Sequence, residues 1–319
     1  MDLRGARIVI TGGAGFIGSH IVELLLKEDV RRVVIVDNFV RGREENLAAV
    51  CGDSRVELVR DDIRNRVLME ELCRGTDLLY HEAALRITQC AQEPEEAFAV
   101  MGDATFDLFM TAVRSGVKKI VYASSASVYG MADLFPTPET QHPYHNLTLY
   151  GGLKVLGEQL LQSLHDMHGI PYVALRYFNV YGPRMDVHGK YTEVIIRWLE
   201  ALEKGGRPVI FGGGTDTMDF VFVEDVARAN ILAAAGDVEA GVYNVGAGRE
   251  VSLKEMCGVI LRLTGHPEMT PEYQPPRKIN PVARRLADTT KAASDLGFMA
   301  SVPFDEGMAR LYAWWMNNR

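Results

Sequence analysis

Directly after a short apolar run, Ala6 to Thr11, the chain reads TGGAGFIGSH, and Gly12, Gly15 and Gly18 recur every third residue ahead of a helical pattern. No other feature limits the fold as much. A strand that turns at once into a helix needs glycine where the backbone bends, where a ligand nears the main chain, and where helix and strand pack closely. The helix start then offers unpaired N–H groups and positive potential to a pyrophosphate. The three glycines are therefore read as a dinucleotide-binding turn.

The alternation continues downstream. Further strands are predicted at Val33 to Asp37, Val56 to Val59, Leu78 to His81, Ile120 to Ser124 and Val173 to Tyr177. Helices are predicted near Phe16 to Lys27, Asn65 to Cys73, Glu95 to Ser115 and Tyr150 to Met167. Such apolar runs require cover on both faces, which gives an α/β fold with a doubly wound parallel sheet of Rossmann type. After about Tyr177 the pattern changes to Gly- and Pro-rich loops, with helices near Thr192 to Lys204, Glu224 to Ala235 and Leu253 to Thr264. Residues 1–177 are expected to form the nucleotide-binding domain, with 219–235 returning to it, and 178–319 to form mainly a smaller C-terminal lobe.

Composition excludes several functions. With 319 residues, 47% of them hydrophobic, the chain can bury a sizeable core. A formal charge of -8 supplies no basic field for phosphate backbones, so no nucleic-acid partner is expected. No stretch is apolar for the about 20 residues of a membrane span, and the N-terminal apolar run is too short for a signal peptide. Cys51, Cys73, Cys90 and Cys257 form no CxxC pair, which fits a reducing cytoplasm and neither a metal cage nor a disulfide framework. His142, His145 and His188 fall in loops near the presumed cleft at spacings that match no metal motif, so a metal-free site is expected.

Two further features carry chemistry. Asp37 closes the second strand about twenty residues beyond the glycine turn, where a carboxylate accepts hydrogen bonds from ribose hydroxyls and repels a 2′-phosphate. That favours NAD over NADP, although Arg41 and Arg43 stand close by. Tyr150 and Lys154 are four residues apart at a helix start and so share one face. A phenol titrates near pH 10 unless positive charge lowers it, and the expectation is that the Lys154 ammonium and a nicotinamide ring do so.

Taken together, TGGAGFIGSH, Asp37-Asn38, DDIR (61–64), HEAAL (81–85), ASSASVYG (123–130), YGGLK (150–154), LRYFNVYGPR (175–184) and RRLADTTKA (284–292) resemble the extended short-chain dehydrogenases. More narrowly, they resemble the NAD-dependent nucleotide-sugar epimerase and dehydratase group, over nearly the whole chain. The resemblance implies that Gly12, Gly15, Phe16, Ile17, Gly18, Asp37 and Asn38 hold NAD and that Asp62 and Ile63 flank its adenine. It implies that Ala83, Ala84 and Arg86 line the cofactor channel, joined by Tyr177 and Phe178. Tyr150, Lys154 and Ser125 would be catalytic, Ser125 bonding the sugar hydroxyl and Tyr150, Lys154 also holding the nicotinamide ribose. Ser127 and Asn179 would meet the substrate, Asn179 at its diphosphate, which Arg284 or Arg285 would neutralise. Blander roles stay open: the serines as caps of a strand end, Asn179 as a loop residue, and Arg277, Lys278, Arg284 and Arg285 as a solvated basic patch.

Family dehydratases and decarboxylases place an acid just before VYG; here stand Ala126 and Ser127, neither of which trades protons at neutral pH. The expected activity is therefore epimerisation of a nucleotide sugar, with a UDP-hexose, UDP-hexosamine or UDP-hexuronic acid inverted at C4 through a transient 4-keto sugar. A net oxidoreductase on a keto sugar and a non-catalytic NAD-binding regulator are the competing readings. Four departures bear on the substrate: Met218 replaces the usual arginine before Asp219-Phe220, Leu153 a serine or threonine, Met101 an asparagine, and HNLTLYGGLK the usual SPYG context. The resemblance also suggests a homodimer paired through the helices at Glu95 to Ser115 and Tyr150 to Met167.

Overall fold

The computed structural model describes residues 1–187, 193–275 and 282–318. His188, Thr192, Arg277 and Lys278 lie outside the described residues. In chain order the elements are β1 (Arg7–Thr11), α1 (Phe16–Leu25), β2 (Arg32–Asp37), β3 (Val56–Arg60), α2 (Arg66–Cys73), β4 (Leu78–His81), α3 (Ile87–Gln92), α4 (Pro94–Phe98), α5 (Thr105–Arg114), β5 (Lys119–Ser125), α6 (Leu149–His168) and β6 (Tyr172–Tyr177). Beyond these come β7 (Asn179–Tyr181), α7 (Val194–Glu203), β8 (Val209–Phe211), β9 (Thr217–Phe222), α8 (Val223–Ala235), β10 (Ala240–Val245), β11 (Glu250–Ser252), α9 (Leu253–Leu263), β12 (Glu272–Gln274), α10 (Thr290–Leu296) and α11 (Phe304–Asn318).

Seven parallel strands make the main sheet in the order β10-β6-β5-β4-β1-β2-β3. The runs RIVIT, RVVIVD and YVALRY are almost wholly buried because helices cover both faces. Ile21, Leu25, Val226, Ala229 and Leu296 bring α1, α8 and α10 onto one face. On the other, Met69, Leu72, Leu108, Phe109, Leu161 and Leu164 bring α2, α5 and α6. The doubly wound expectation is met. Strand β10 was not among the strands predicted from sequence; its backbone is met by Lys291 Nζ, which donates to Val242 O at 2.8 Å, and by Glu139, which accepts from Asn244 N at 2.7 Å.

A second core gathers Tyr181, Trp198, Leu199, Phe220, Phe222, Met256, Ile260, Phe304 and Trp315 around the small sheet β11-β9-β7. Of the segment 219–235, α8 packs on α1 beneath the main sheet, whereas β9 belongs with this second core.

The single helix expected over Glu95 to Ser115 is instead interrupted by a π-helical turn at Ala99–Ala104. The extra residue in that turn lets Thr105 Oγ1 bond both Val100 O, at 3.2 Å, and His81 Nε2, at 3.0 Å. His81 Nδ1 in turn meets Thr11 Oγ1 at 2.8 Å, so one imidazole ties α5 to the ends of β1 and β4. Burial, and then the charge of Lys154, push this imidazole from 6.5 down to about 3. An unfolded chain therefore takes up a proton below pH 6.5 that the folded chain refuses. Stability is expected to fall by about 1.4 kcal/mol per pH unit on this account as pH drops from about 6.5 towards 4. Denaturant melts between pH 7 and 5 should show that slope in the native chain and a shallower one in His81→Asn; equal slopes would refute it.

Candidate active site

Strand order reverses between β1 and β4, and the carboxyl ends of the parallel strands open there into a cleft of about 990 Å³. Ligands of open α/β sheets bind at such a switch point. That volume is at the upper end of the roughly 300–1,000 Å³ found for small-molecule sites.

Gly12 has φ +71°, and a Cβ there would stand 2.8 Å from Ala83 N. Only glycine fits both the turn and the close approach of the β4 loop. Gly15 caps α1, whose first turn carries no acidic residue, so its N–H groups and dipole face the cleft uncompensated. Phe16, Ile17 and Gly18 continue the same wall. Asp37 ties β2 to the turn, its carboxylate accepting from Ala14 N at 3.0 Å and Phe39 N at 2.9 Å. Burial holds this carboxyl above its ordinary range, against those two donors. Asn38 Nδ2 donates to Asp62 Oδ2 at 2.8 Å, and both line the cleft with Ile63. Ala83, Ala84 and Arg86 form the opposite wall, and Tyr177, Phe178 and Asn179 lie on the side of β6 and β7.

Helix α6 begins with Thr148 accepting from Gly151 N at 3.1 Å. Gly151 is obligatory by contact: a Cβ would come 2.6 Å from Ser127 O, so glycine lets the helix start press against the end of β5. One turn separates Tyr150 and Lys154. Lys154 Nζ donates to Ala123 O at 2.5 Å and stands 5.7 Å from the centre of the Tyr150 ring. The Ser125 hydroxyl lies near enough to Tyr150 to favour its phenolate, and Ser125 Oγ accepts from Ser127 N at 3.1 Å. The capping role and the cleft-facing role of Ser125 thus coexist. Ser124, by contrast, donates to buried Glu158 at 2.5 Å.

Burial pushes Tyr150 up to about 12, and the Ser125 hydroxyl and the positive charges of Arg41 and Arg285 offset this only in part. Burial likewise pulls Lys154 down to about 8, against the carboxylate of Glu82. In the protein alone burial outweighs the positive charges around the phenol, so the acidity expected of it depends on the nicotinamide ring as well as on Lys154.

The two candidate diphosphate arginines part company. The backbone is extended here, with Arg284 bridging to Thr217 and Arg285 N bonding Thr217 O at 2.9 Å, so successive side chains face opposite ways. Arg284 turns outward to Glu250 at 2.7 Å and packs over Phe135; it does not line the cleft. Arg285 turns inward, donating from Nη1 to Ala126 O at 2.6 Å. Ser127 and Met218 line the same cleft. Exposed His142 and His145 do not, and His145 stands 3.6 Å from Asp133 on the surface. Sequence reasoning missed Glu82, which accepts from Tyr177 Oη at 3.1 Å, and the charged mouth where Arg41 and Arg86 approach Asp186 at 4.0 and 3.6 Å. Trp314 of α11 also reaches the cleft, with no local signal to announce it.

A doubly wound sheet with a glycine turn, a cleft-lining aspartate at the end of β2, and a tyrosine one helical turn from a lysine defines a dinucleotide-dependent enzyme. A profile of the NAD dependent epimerase/dehydratase family matches residues 8–246, and the chain belongs to that family. It is 35% identical over 314 residues to the UDP-glucose 4-epimerase of Mycolicibacterium smegmatis, covering 98% of this chain and 99% of that one. The structure is similar to that of UDP-N-acetylglucosamine 4-epimerase from Methanobrevibacter ruminantium M1 in complex with UDP-N-acetylmuramic acid, with a TM-score of 0.93, 31% identity, and coverage of 99% and 100%. It is similar also to UDP-glucose 4-epimerase from Thermotoga maritima with UDP-glucose, with a TM-score of 0.89, 33% identity, and coverage of 98% and 99%. Nucleotide-sugar decarboxylases and dehydratases occur among the relatives too.

The cofactor is NAD, and the glycine cradle, the open α1 start and Asp37 fit it. Gly12→Ala combines a left-handed backbone strain of roughly 1–2 kcal/mol with the clash at Ala83. NAD retained through purification should fall at least about tenfold, as read by nucleotide release and chromatography. Full retention would show that the turn does not cradle the cofactor.

Proposed function

We propose that this enzyme interconverts the C4 epimers of a nucleotide-activated sugar, a UDP-hexose, UDP-hexosamine or UDP-hexuronic acid. Bound NAD supplies a hydride acceptor and a positive nicotinamide ring. Ser125 orients the C4 hydroxyl towards Tyr150 Oη, which takes its proton as C4 becomes a ketone. Lys154, fixed by Ala123 O, would hold the nicotinamide ribose and keep positive charge near the phenol. The keto sugar turns over about its diphosphate link, and Tyr150 returns the proton once the opposite face is reduced. Asn179 anchors the diphosphate.

One observation carries the choice of reaction: the turn after β5, where an elimination needs its acid, holds Ala126 and Ser127, both buried. Glu82, the carboxyl further along the cleft, is engaged by Tyr177 Oη. Two 4-epimerases among the similar proteins support the same reading. Purified enzyme mixed with UDP-sugars and no added cofactor should form C4 epimers, followed by NMR. Net NADH accumulation or loss of water instead would refute it.

A cytoplasmic homodimer belongs to the same proposal. Phe98 and Phe106 are 49% and 44% exposed on α4 and α5, and no helix among the described residues is long and apolar enough to cross a membrane.

A further inference from the structure

Arg285 is the cleft cation whose charge the protein leaves unanswered beside the reacting group. Four other cleft cations face a carboxylate: Arg41 and Arg86 approach Asp186, Arg184 pairs with Glu23, and Lys154 feels Glu82. Among the described residues, no carboxylate lies within ion-pair distance of Arg285, and the electrostatic partner it has is the Tyr150 phenol. Its one hydrogen bond, to Ala126 O, leaves a guanidinium with five N–H donors largely unspent. A half-buried charge kept in such a state has its counter-ion elsewhere.

Position decides which anion that is. Arg285 holds Ala126 O, Ala126 follows Ser125, and Ser125, Tyr150 and Arg285 line the same cleft, so the guanidinium sits one residue along the chain from a group that would handle the C4 hydroxyl. In a pyranose, C1 with its diphosphate lies across the ring from C4, whereas C6 hangs from C5, the carbon next to C4. An anion within reach of Arg285 is therefore on the sugar and not on the phosphates. The rest of the turn agrees: Ala126 and Ser127 set no negative charge against a carboxylate.

We propose that Arg285 is a specificity-determining residue that pairs with a carboxylate carried by the sugar at C6, making the substrate a nucleotide-activated hexuronic acid. The inference rests on the epimerase reading for the pose of C4, and it narrows that reading to one substrate class. A planar guanidinium meets a planar carboxylate with two parallel bonds.

Titration calorimetry of the NAD-loaded enzyme with UDP, UDP-glucose and UDP-glucuronic acid tests it. UDP-glucuronic acid should bind at least about tenfold more tightly than UDP-glucose, as a charge-assisted bond warrants. Arg285→Gln should abolish that preference while UDP binds within about twofold of native, and Arg285→Lys should retain part of it. Binding of UDP also certifies that each variant is folded. Equal loss for all three ligands would place Arg285 at the diphosphate and overturn the proposal, as would a native enzyme without preference. The two readings fail separately: a carboxylate preference without epimer formation by NMR sinks the reaction, and epimer formation without the preference sinks the role of Arg285.

Discussion

Replacing Tyr150 by phenylalanine is expected to lower epimerisation about a thousandfold while fold and retained NAD survive. The substitution removes one oxygen, the acceptor and later donor of the C4 proton, and general acid–base catalysis contributes roughly 10²–10⁴-fold. Loss of the hydroxyl leaves the partly buried ring packed against the cluster that contains Met101 and Leu153. NMR of UDP-sugar mixtures measures the rate, and released nucleotide measures the cofactor. A variant within tenfold of native would mean that some other group takes the proton. Because burial holds the phenol up near 12, the native rate should also climb from pH 6 to pH 8, and the variant should not show that rise.

The second large effect lies behind the active site. Arg176 and Glu158 are 8% and 3% exposed and meet through two parallel bonds of 2.9 and 2.7 Å. Arg176 Nη1 also donates to Tyr129 Oη at 2.9 Å, and that hydroxyl donates to Asn244 Oδ1 at 2.6 Å. Removing one partner of a buried pair leaves an uncompensated charge and costs about 3–5 kcal/mol. Arg176→Met is thus expected to lower Tm by about 10 °C. Pairing it with Glu158→Gln should recover part of the loss, since no lone charge then remains. A fall of under 2 °C in the single variant would show that the pair contributes little. Ser124, which leans on Glu158, precedes Ser125 in β5, so turnover should fall along with stability.

Legibility followed burial and length. Strands β1, β2, β4, β5 and β6 are apolar runs of four to seven residues enclosed on both faces, and their positions could be read to within a residue or two; β3, the half-exposed edge strand, was legible from its valines and leucine. Strand β10 could not: AGVYNV opens with two small residues and carries a buried asparagine that answers side chains from distant loops. Three-residue strands such as β7 and β11 are too short to show a period. The break in the helix near Met101 depends on where Thr105 must reach, a tertiary demand invisible to a helical repeat. Tyr150 and Lys154 stood out because local spacing sets them, whereas Ser125 was named only through the family resemblance. Arg284 and Arg285 did not separate, because which one turns inward depends on register with Thr217, some seventy residues earlier. The mouth formed by Arg41, Arg86 and Asp186 assembles from three remote loops and has no local pattern at all.

The placing of β10 has a consequence for synthesis. All six residues of β6 are buried in the finished enzyme, between β5 and a strand that arrives more than sixty residues later. On the ribosome, a nascent chain that has emerged only as far as residue 235 presents that backbone as an unprotected edge, open to a second copy of itself. Shortened chains ending there should collect in inclusion bodies, whereas the full chain closes its own flank.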